Sequence, residues 1–137
     1  MAITHLVDTS VIKRMSNHAV RNHVEPLARA GRLARAEISD LEIGYSARNA
    51  AEWDQLCGAL DAFVRIETTT AHVARSKQVQ RLLAARSQRG RKIPDLLIAA
   101  AAEMHRLTVL HYDHDFDQIS AVTGQPCLWV VPAGSID

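Results

Sequence analysis

Ala2-Ile3-Thr4-His5-Leu6-Val7-Asp8-Thr9-Ser10 is the stretch that decides the fold. Its apolar run, residues 2–7, is too short for a helix, contains β-branched side chains, and is bounded by turn chemistry, so it reads as a short buried strand. Asp8-Thr9-Ser10 supplies a turn and a helix N-cap, and a helix can start at Val11. A buried strand that runs through a cap into a helix is the opening half of a βαβ unit. In open α/β sheets the ligand crevice lies beyond the carboxyl ends of the strands. An acid in the position of Asp8 therefore faces that crevice.

The rest of the chain repeats the alternation. Val20, Val24, Leu27 and Ala28 recur at helical spacing over residues 18–30, with Pro26 arguing against an unbroken helix and Gly31 ending the segment. Residues 33–36 predict a very short strand. Ser39-Asp40-Leu41-Glu42 has the form of a capping box, which predicts a helix capped by Ser39 with Glu42 in its first turn and Leu41 and Tyr45 along one face. Helix is predicted over 51–61, strand over 62–67, and a longer helix over 70–86 with Val73, Val79, Leu82 and Leu83 turned inward. A basic loop, 87–92, closed by Gly90, leads to an alanine-rich helix from Asp95 to His105. Strand over 107–111, a turn and short helix over 113–122, and a last strand over 127–131 complete the pattern. Alternating strands and helices with crossover-length connections predict an α/β fold in three layers, with a mainly parallel central sheet. The chain of 137 residues reads as one domain over 1–132 with a loose tail over 133–137.

Four acids fall at element boundaries: Asp8, Glu42, Asp95 and Asp113. Carboxylates gathered in one crevice repel one another unless a positive charge sits among them. A hard divalent cation with oxygen ligands fits that role, and it supplies both water activation and charge stabilisation for phosphodiester hydrolysis. Each acid also has an ordinary structural use: Asp95 after Pro94 is a common helix start, Glu42 a capping partner, Asp8 an Asx-turn. The segment His111-Tyr112-Asp113-His114-Asp115-Phe116-Asp117 offers Asp113 as a first ligand and Asp115 as an alternative ligand or accessory acid, with Asp117 at the surface. It is no EF-hand loop, because Gln118 and Gly124 stand where that loop needs Gly and Glu.

Other chemistries find no footing. Seven histidines make no HxxxH or HExxH, no G-x-S-x-G elbow surrounds Ser10, and there is neither a G-x-G-x-x-G nor a P-loop. Cys57 and Cys127 form no CxxC, so a reduced, cytoplasmic setting is expected. No leader segment is expected, and the longest strongly apolar run, residues 96–102, is too short for a membrane span. A net charge of +1 means that attraction to nucleic acid must be local. Arg81, Arg86, Arg89, Arg91 and Lys92 provide such a patch just before Asp95, fit for phosphate contacts. With an aromatic content of 4%, base stacking is not expected to be the main binding mode.

Four segments in order resemble the PIN-domain proteins, and in spacing and length the VapC toxins of bacterial toxin–antitoxin pairs. They are Leu6-Val7-Asp8-Thr9-Ser10-Val11-Ile12, Ser39-Asp40-Leu41-Glu42-Ile43, Lys92-Ile93-Pro94-Asp95-Leu96-Leu97-Ile98-Ala99-Ala100, and Val109-Leu110-His111-Tyr112-Asp113-His114-Asp115-Phe116-Asp117. The resemblance implies a Mg²⁺-dependent endoribonuclease, with Mn²⁺ able to substitute, that acts on structured RNA such as tRNA or rRNA and arrests translation and growth. It implies a VapB-type antitoxin as partner and a homodimer. By motif, Asp8, Glu42, Asp95 and Asp113 would be catalytic, and Asp8, Asp95, Asp113 and Asp115 would hold metal. Ser10 would support Asp8, and Arg86, Arg89, Arg91 and Lys92 would contact RNA. His111 departs from the pattern, since many relatives carry Thr or Ser two residues before the acid. A DNA nuclease or RNA-processing PIN protein, and a catalytically inactive PIN-like binding module, are the rival expectations.

Overall fold

The computed structural model describes residues 2–88 and 92–137. Gly90 and two arginines of the basic loop, Arg89 and Arg91, lie outside the described residues. Five strands form the sheet: β1 (His5–Val7), β2 (Leu33–Ala36), β3 (Val64–Ile66), β4 (Thr108–His111) and β5 (Cys127–Trp129). They are all parallel, in the order β3-β2-β1-β4-β5. The chain therefore winds outward from β1 to β3, then returns to β1's other side with β4. The reversal lies between β1 and β4, where such sheets open a crevice.

Side chains alternate across each strand and feed two cores. Leu6, Ala34 and Val109 face one side, against α5 (Thr70–Ala85), α6 (Ile93–His105) and α7 (Asp115–Thr123), whose Val79, Leu83, Ile98, Phe116 and Ile119 close the first core. Val7, Leu33 and Leu110 face the other, where α1 (Thr9–Ile12), α2 (His18–Arg29) and α3 (Ile38–Gly44) contribute Val11, Val20, Val24 and Ile43. The helix α4 (Ala50–Gly58) follows α3 and leads into a 3-10 turn, Ala59–Ala62, which seats Leu60 in the second core. Two cores on one sheet make the three-layer α/β/α architecture. The alanines 99–102 of α6 are all buried, so this helix lies close against the sheet and its neighbours.

Several local expectations change. Helix α3 starts at Ile38, one residue before the expected cap; Ser39 is buried inside its first turn and no side chain caps the helix. Glu42 is thus the fifth helical residue, beyond the reach of the helix N-terminus. Of the apolar residues expected along α3, Ile43 is buried, while Leu41 and Tyr45 are 68% and 92% exposed. On α5, Val79 and Leu83 point inward, but Val73 and Leu82 lie on the exposed side. Pro26 sits inside α2 without ending it, exposed and near the helix's last turn. Strand β3 is shorter than expected because the 3-10 turn takes the preceding residues. The last residues are fastened rather than loose. The Tyr112 hydroxyl donates to the Ile136 carbonyl at 2.7 Å and accepts from its N–H at 3.1 Å, and Arg14 Nε donates to the Asp137 carbonyl at 2.7 Å. A phenol about a hundred positions from α1 carries no periodic signal that could announce this.

One buried cation braces the β2 side. Arg35, in the middle of β2, donates through Nε and Nη2 to both carboxylate oxygens of Asp40, at 2.8 and 3.3 Å. Its Nη1 donates to the carbonyls of Leu60 and Phe63 at 2.8 and 2.6 Å. The side chain thus ties α3, which carries Glu42, to the 3-10 turn.

Candidate active site

A cleft of about 540 Å³ opens at the carboxyl ends of β1 and β4. Asp8, Glu42, Asp95 and Asp113 all line it, with Thr9, Ser10, Lys13, Arg14, Lys92, Tyr112, His114, Trp129 and Gly134. Asp8 leaves β1 with extended backbone and caps α1, its Oδ2 accepting the Ser10 N–H at 3.0 Å. Its own N–H donates to the Leu110 carbonyl, which extends the β1–β4 ladder to the crevice. Asp95 is the third residue of α6, following Pro94, whose missing N–H costs nothing there. Asp113 follows β4 and accepts the Asp115 N–H on Oδ1 at 2.9 Å, an Asx-type turn that leads into α7.

Three acids converge most closely. One carboxylate oxygen each from Asp95, Asp113 and Asp115 lies within 4.8 Å of the others. Asp8 and Asp95 are each only 2% exposed. The buried Asp8 Oδ1 and Asp95 Oδ2 have no hydrogen-bond partner. Buried carboxylate oxygens without donors are costly. Their burial pushes the Asp8 carboxyl up to about 6, against the opposing Ser10 hydrogen bonds and with added repulsion from Glu42 and Asp113. Burial also pushes Asp95 up, helped by the charge of Asp8 and the neighbouring Asp115 and Asp113. Asp113 goes the other way. Burial raises it, but Lys92, whose Nζ stands 2.7 Å from Oδ2, and the Asp115 N–H outweigh that and hold it below the usual range. The acids fit a hard divalent cation: all-oxygen donors, two of them orphaned, in a site that disfavours their charges.

The supporting residues are specific. Thr9 Oγ1 donates to Glu42 Oε1 at 2.7 Å, fixing the fourth acid from the residue next to the first. Ser10 Oγ accepts the Tyr112 N–H at 2.8 Å, so the expected support residue joins α1 to the end of β4. His111 is buried, its Nδ1 accepts the Asp113 N–H at 3.2 Å, and burial drops its pKa to about 4. It serves as a neutral acceptor that shapes the Asp113 turn. Of the basic stretch, Lys92 lies in the cleft, paired to Asp113. Arg86 is the exposed C-cap of α5 and is not among the residues lining the cleft. Asp117 is half-exposed and accepts the Trp129 Nε1–H at 3.1 Å. The sequence pattern did not single out Thr9 as a partner of Glu42, nor Lys13, Arg14, Tyr112 and Trp129 as cleft residues. Only proximity to Asp8 and Asp113 in the chain hinted at the first four.

The PIN domain family model matches residues 5–122. The chain belongs to the PIN-domain family. Within it the relatives are VapC proteins. Ribonuclease VapC51 of Mycobacterium tuberculosis (strain ATCC 25618 / H37Rv) is 68% identical over 137 residues, all of both chains. Ribonuclease VapC21 of Mycobacterium tuberculosis (strain CDC 1551 / Oshkosh) is 42% identical, covering 98% of this chain and 99% of its own. Among solved structures, DNA-bound VapBC from Salmonella typhimurium matches with a TM-score of 0.77 at 18% identity, over 94% of this chain and 99% of the other. FitAcB from Neisseria gonorrhoeae matches at 0.73 and 19% identity, over 93% and 98%. The solved neighbours share the fold of this chain, and the acidic cleft described above lies at its sheet switch point.

Proposed function

We propose that this PIN-domain protein is the toxin of a VapBC-type toxin–antitoxin pair and acts as a metal-dependent endoribonuclease. The observation that carries the reading is the gathering of Asp8, Glu42, Asp95 and Asp113 along one cleft, with Asp115 close against Asp95 and Asp113, and with buried oxygens of Asp8 and Asp95 that have no hydrogen-bond partner. The name ribonuclease borne by relatives 68% and 42% identical over nearly the whole chain supports the reaction class. A VapB-type antitoxin is the partner suggested by the VapBC neighbours. A homodimer in the cytoplasm, with structured RNA such as tRNA or rRNA as target and translation arrest as outcome, completes the reading.

In this reading Asp8, Asp95, Asp113 and Asp115 would hold Mg²⁺ or Mn²⁺. When bound, the ion supplies a Lewis acid for the attacking water and for charge developing on the phosphate oxygens. The chain does the rest. Burial raises the Asp8 carboxyl in the metal-free cleft, so a bound cation would displace its proton and leave Asp8 as a charged partner of the ion. Glu42, oriented by Thr9, adds negative charge on the α3 side of the cleft. Lys13, Arg14 and Lys92 line the same cleft and can hold the RNA backbone by its phosphates. From the sequence pattern, Arg86, Arg89 and Arg91 would add phosphate contacts. No helix among the described residues is long and apolar enough to cross a membrane.

Incubating antitoxin-free protein with cellular RNA, with Mg²⁺ or with EDTA, tests the reading. Discrete fragments are expected only with metal; intact RNA under both conditions contradicts it.

A further inference from the structure

The chain has only six Phe, Trp and Tyr residues, yet Tyr112, Phe116 and Trp129 gather beside the acidic cleft with two histidines. Trp129 is the centre of the group. It pairs with His111 across β4 and β5, and its ring lies 4.9 Å from that of His111, 5.3 Å from Tyr112 and 4.8 Å from His114. The His114 and Tyr112 rings stand steeply to it, at 69° and 88°. Its indole N–H is fixed by Asp117 Oδ1, which sets the ring's orientation without using a cleft carboxylate. Trp129, Tyr112 and His114 line the cleft that also holds Asp8, Asp95 and Asp113. His114 is largely solvent-exposed, with 77% of its side chain accessible.

A pure packing role accounts poorly for this placement. The final strand β5 presents a large indole at the ligand-binding end of the sheet, half-buried, when the core there is already closed by Phe116, Ile119 and Val130. An oriented indole beside a phosphodiester-cleaving site suits the flat face of an unpaired nucleobase. Stacking of this kind is tolerant of base identity and commonly positions single-stranded nucleic acid. A base within a duplex has both faces covered and cannot use it.

We infer that Trp129, flanked by His114, is a stacking platform that seats one unpaired nucleobase of the substrate next to the phosphodiester held by the acids. The inference rests on the nuclease reading above and adds to it a residue that positions the substrate. It also accounts for the few aromatics of the chain: one base is gripped, and the remaining affinity comes from phosphate contacts.

The test uses full-length protein in an Asp8→Asn, Trp53→Phe background, so that the RNA probe survives and Trp129 is the sole tryptophan, excited at the red edge where tyrosine does not absorb. Short single-stranded RNAs, intact or with an abasic nucleotide scanned through each position, are titrated in Mg²⁺. Intact RNA is expected to quench Trp129 emission, and one abasic position is expected to abolish the quenching and weaken binding about tenfold. Trp129→Ala should weaken binding of the intact RNA by a similar factor and be indifferent to that abasic position, whereas Trp129→Phe should retain most of the affinity. RNA binding without quenching, or an abasic penalty equal in Trp129→Ala and its parent, overturns the platform and leaves the nuclease reading standing. Failure of the wild-type chain to bind or cleave any RNA removes both. The quenching and the abasic scan are read on the parent protein, so they decide the matter even where Trp129→Ala fails to fold.

Discussion

Lys92 Nζ stands 2.7 Å from Asp113 Oδ2, inside the acidic cleft. The chain thereby provides its own counter-ion to the acids. Hydrogen bonding to Asp113 raises the Lys92 pKa, so the ammonium is held charged there. A divalent cation drawn to Asp113 meets both the repulsion of that ammonium and its competition for the same oxygen.

Lys92→Met is therefore expected to tighten Mn²⁺ or Mg²⁺ binding severalfold, measured by calorimetry, while weakening RNA binding at low salt. Arg at this position should restore the wild-type balance. Weaker metal binding by Lys92→Met would show that Lys92 organises the acids rather than competing for them.

The pH dependence follows from Asp8. Its pKa in the folded protein, about 6, lies above the unfolded value, so its contribution to the metal-free fold is fully present below about pH 4 and lost as pH rises through 6. That rise corresponds to on the order of 3 kcal/mol. Metal binding offsets this loss and displaces the proton. The rise in Tm on adding Mg²⁺ should thus be small near pH 5 and larger near pH 8, and Asp8→Asn should make the metal-free protein less sensitive to this change. Thermal unfolding across that range checks both; a Mg²⁺ effect that shrinks with rising pH contradicts the assignment.

Thr9→Val keeps the shape of the side chain but removes the donor to Glu42. The expected outcome is a fall in kcat of about tenfold, the size of one lost positioning hydrogen bond of about 1.5 kcal/mol, with the fold intact. Thr9→Ser should retain the bond and most of the activity. Equal loss in both variants would point to packing of the methyl group.

Arg35→Met tests the brace beneath α3. It leaves Asp40 and the carbonyls of Leu60 and Phe63 without their donor. Breaking such a buried pair costs about 3–5 kcal/mol, to be read from denaturant unfolding. Stability within 1 kcal/mol of wild type, roughly the worth of an exposed pair, would mean that solvent replaces the guanidinium easily.

The sequence made the strand ends legible because their signals are local. Asp8 follows a β-branched run, Asp95 follows Pro94, and Asp113 follows the run 107–111, so each acid could be put at an element boundary. Glu42 was placed on the right helix but at the wrong turn. Its capping-box spacing is real, yet burial of Ser39 against the sheet overrides the cap and starts α3 earlier. Leu41 and Tyr45 looked like core residues by spacing, although tertiary packing selected Ile43. The pairings of Arg35, Trp129 and the chain end are long-range contacts with no periodicity to betray them. The charge run points to Lys92 as a phosphate contact, but it carries no signal of the distance to an acid twenty-one residues on, so the pairing with Asp113 is not legible in it.

Cleavage of cellular RNA by the antitoxin-free protein and its Asp95→Asn variant, each with Mg²⁺ and with EDTA, tests the central claim most directly. The account predicts discrete fragments from the wild type with Mg²⁺ alone, and none from a folded Asp95→Asn. Fragments that persist in EDTA, or that Asp95→Asn produces as well as the wild type, would contradict it.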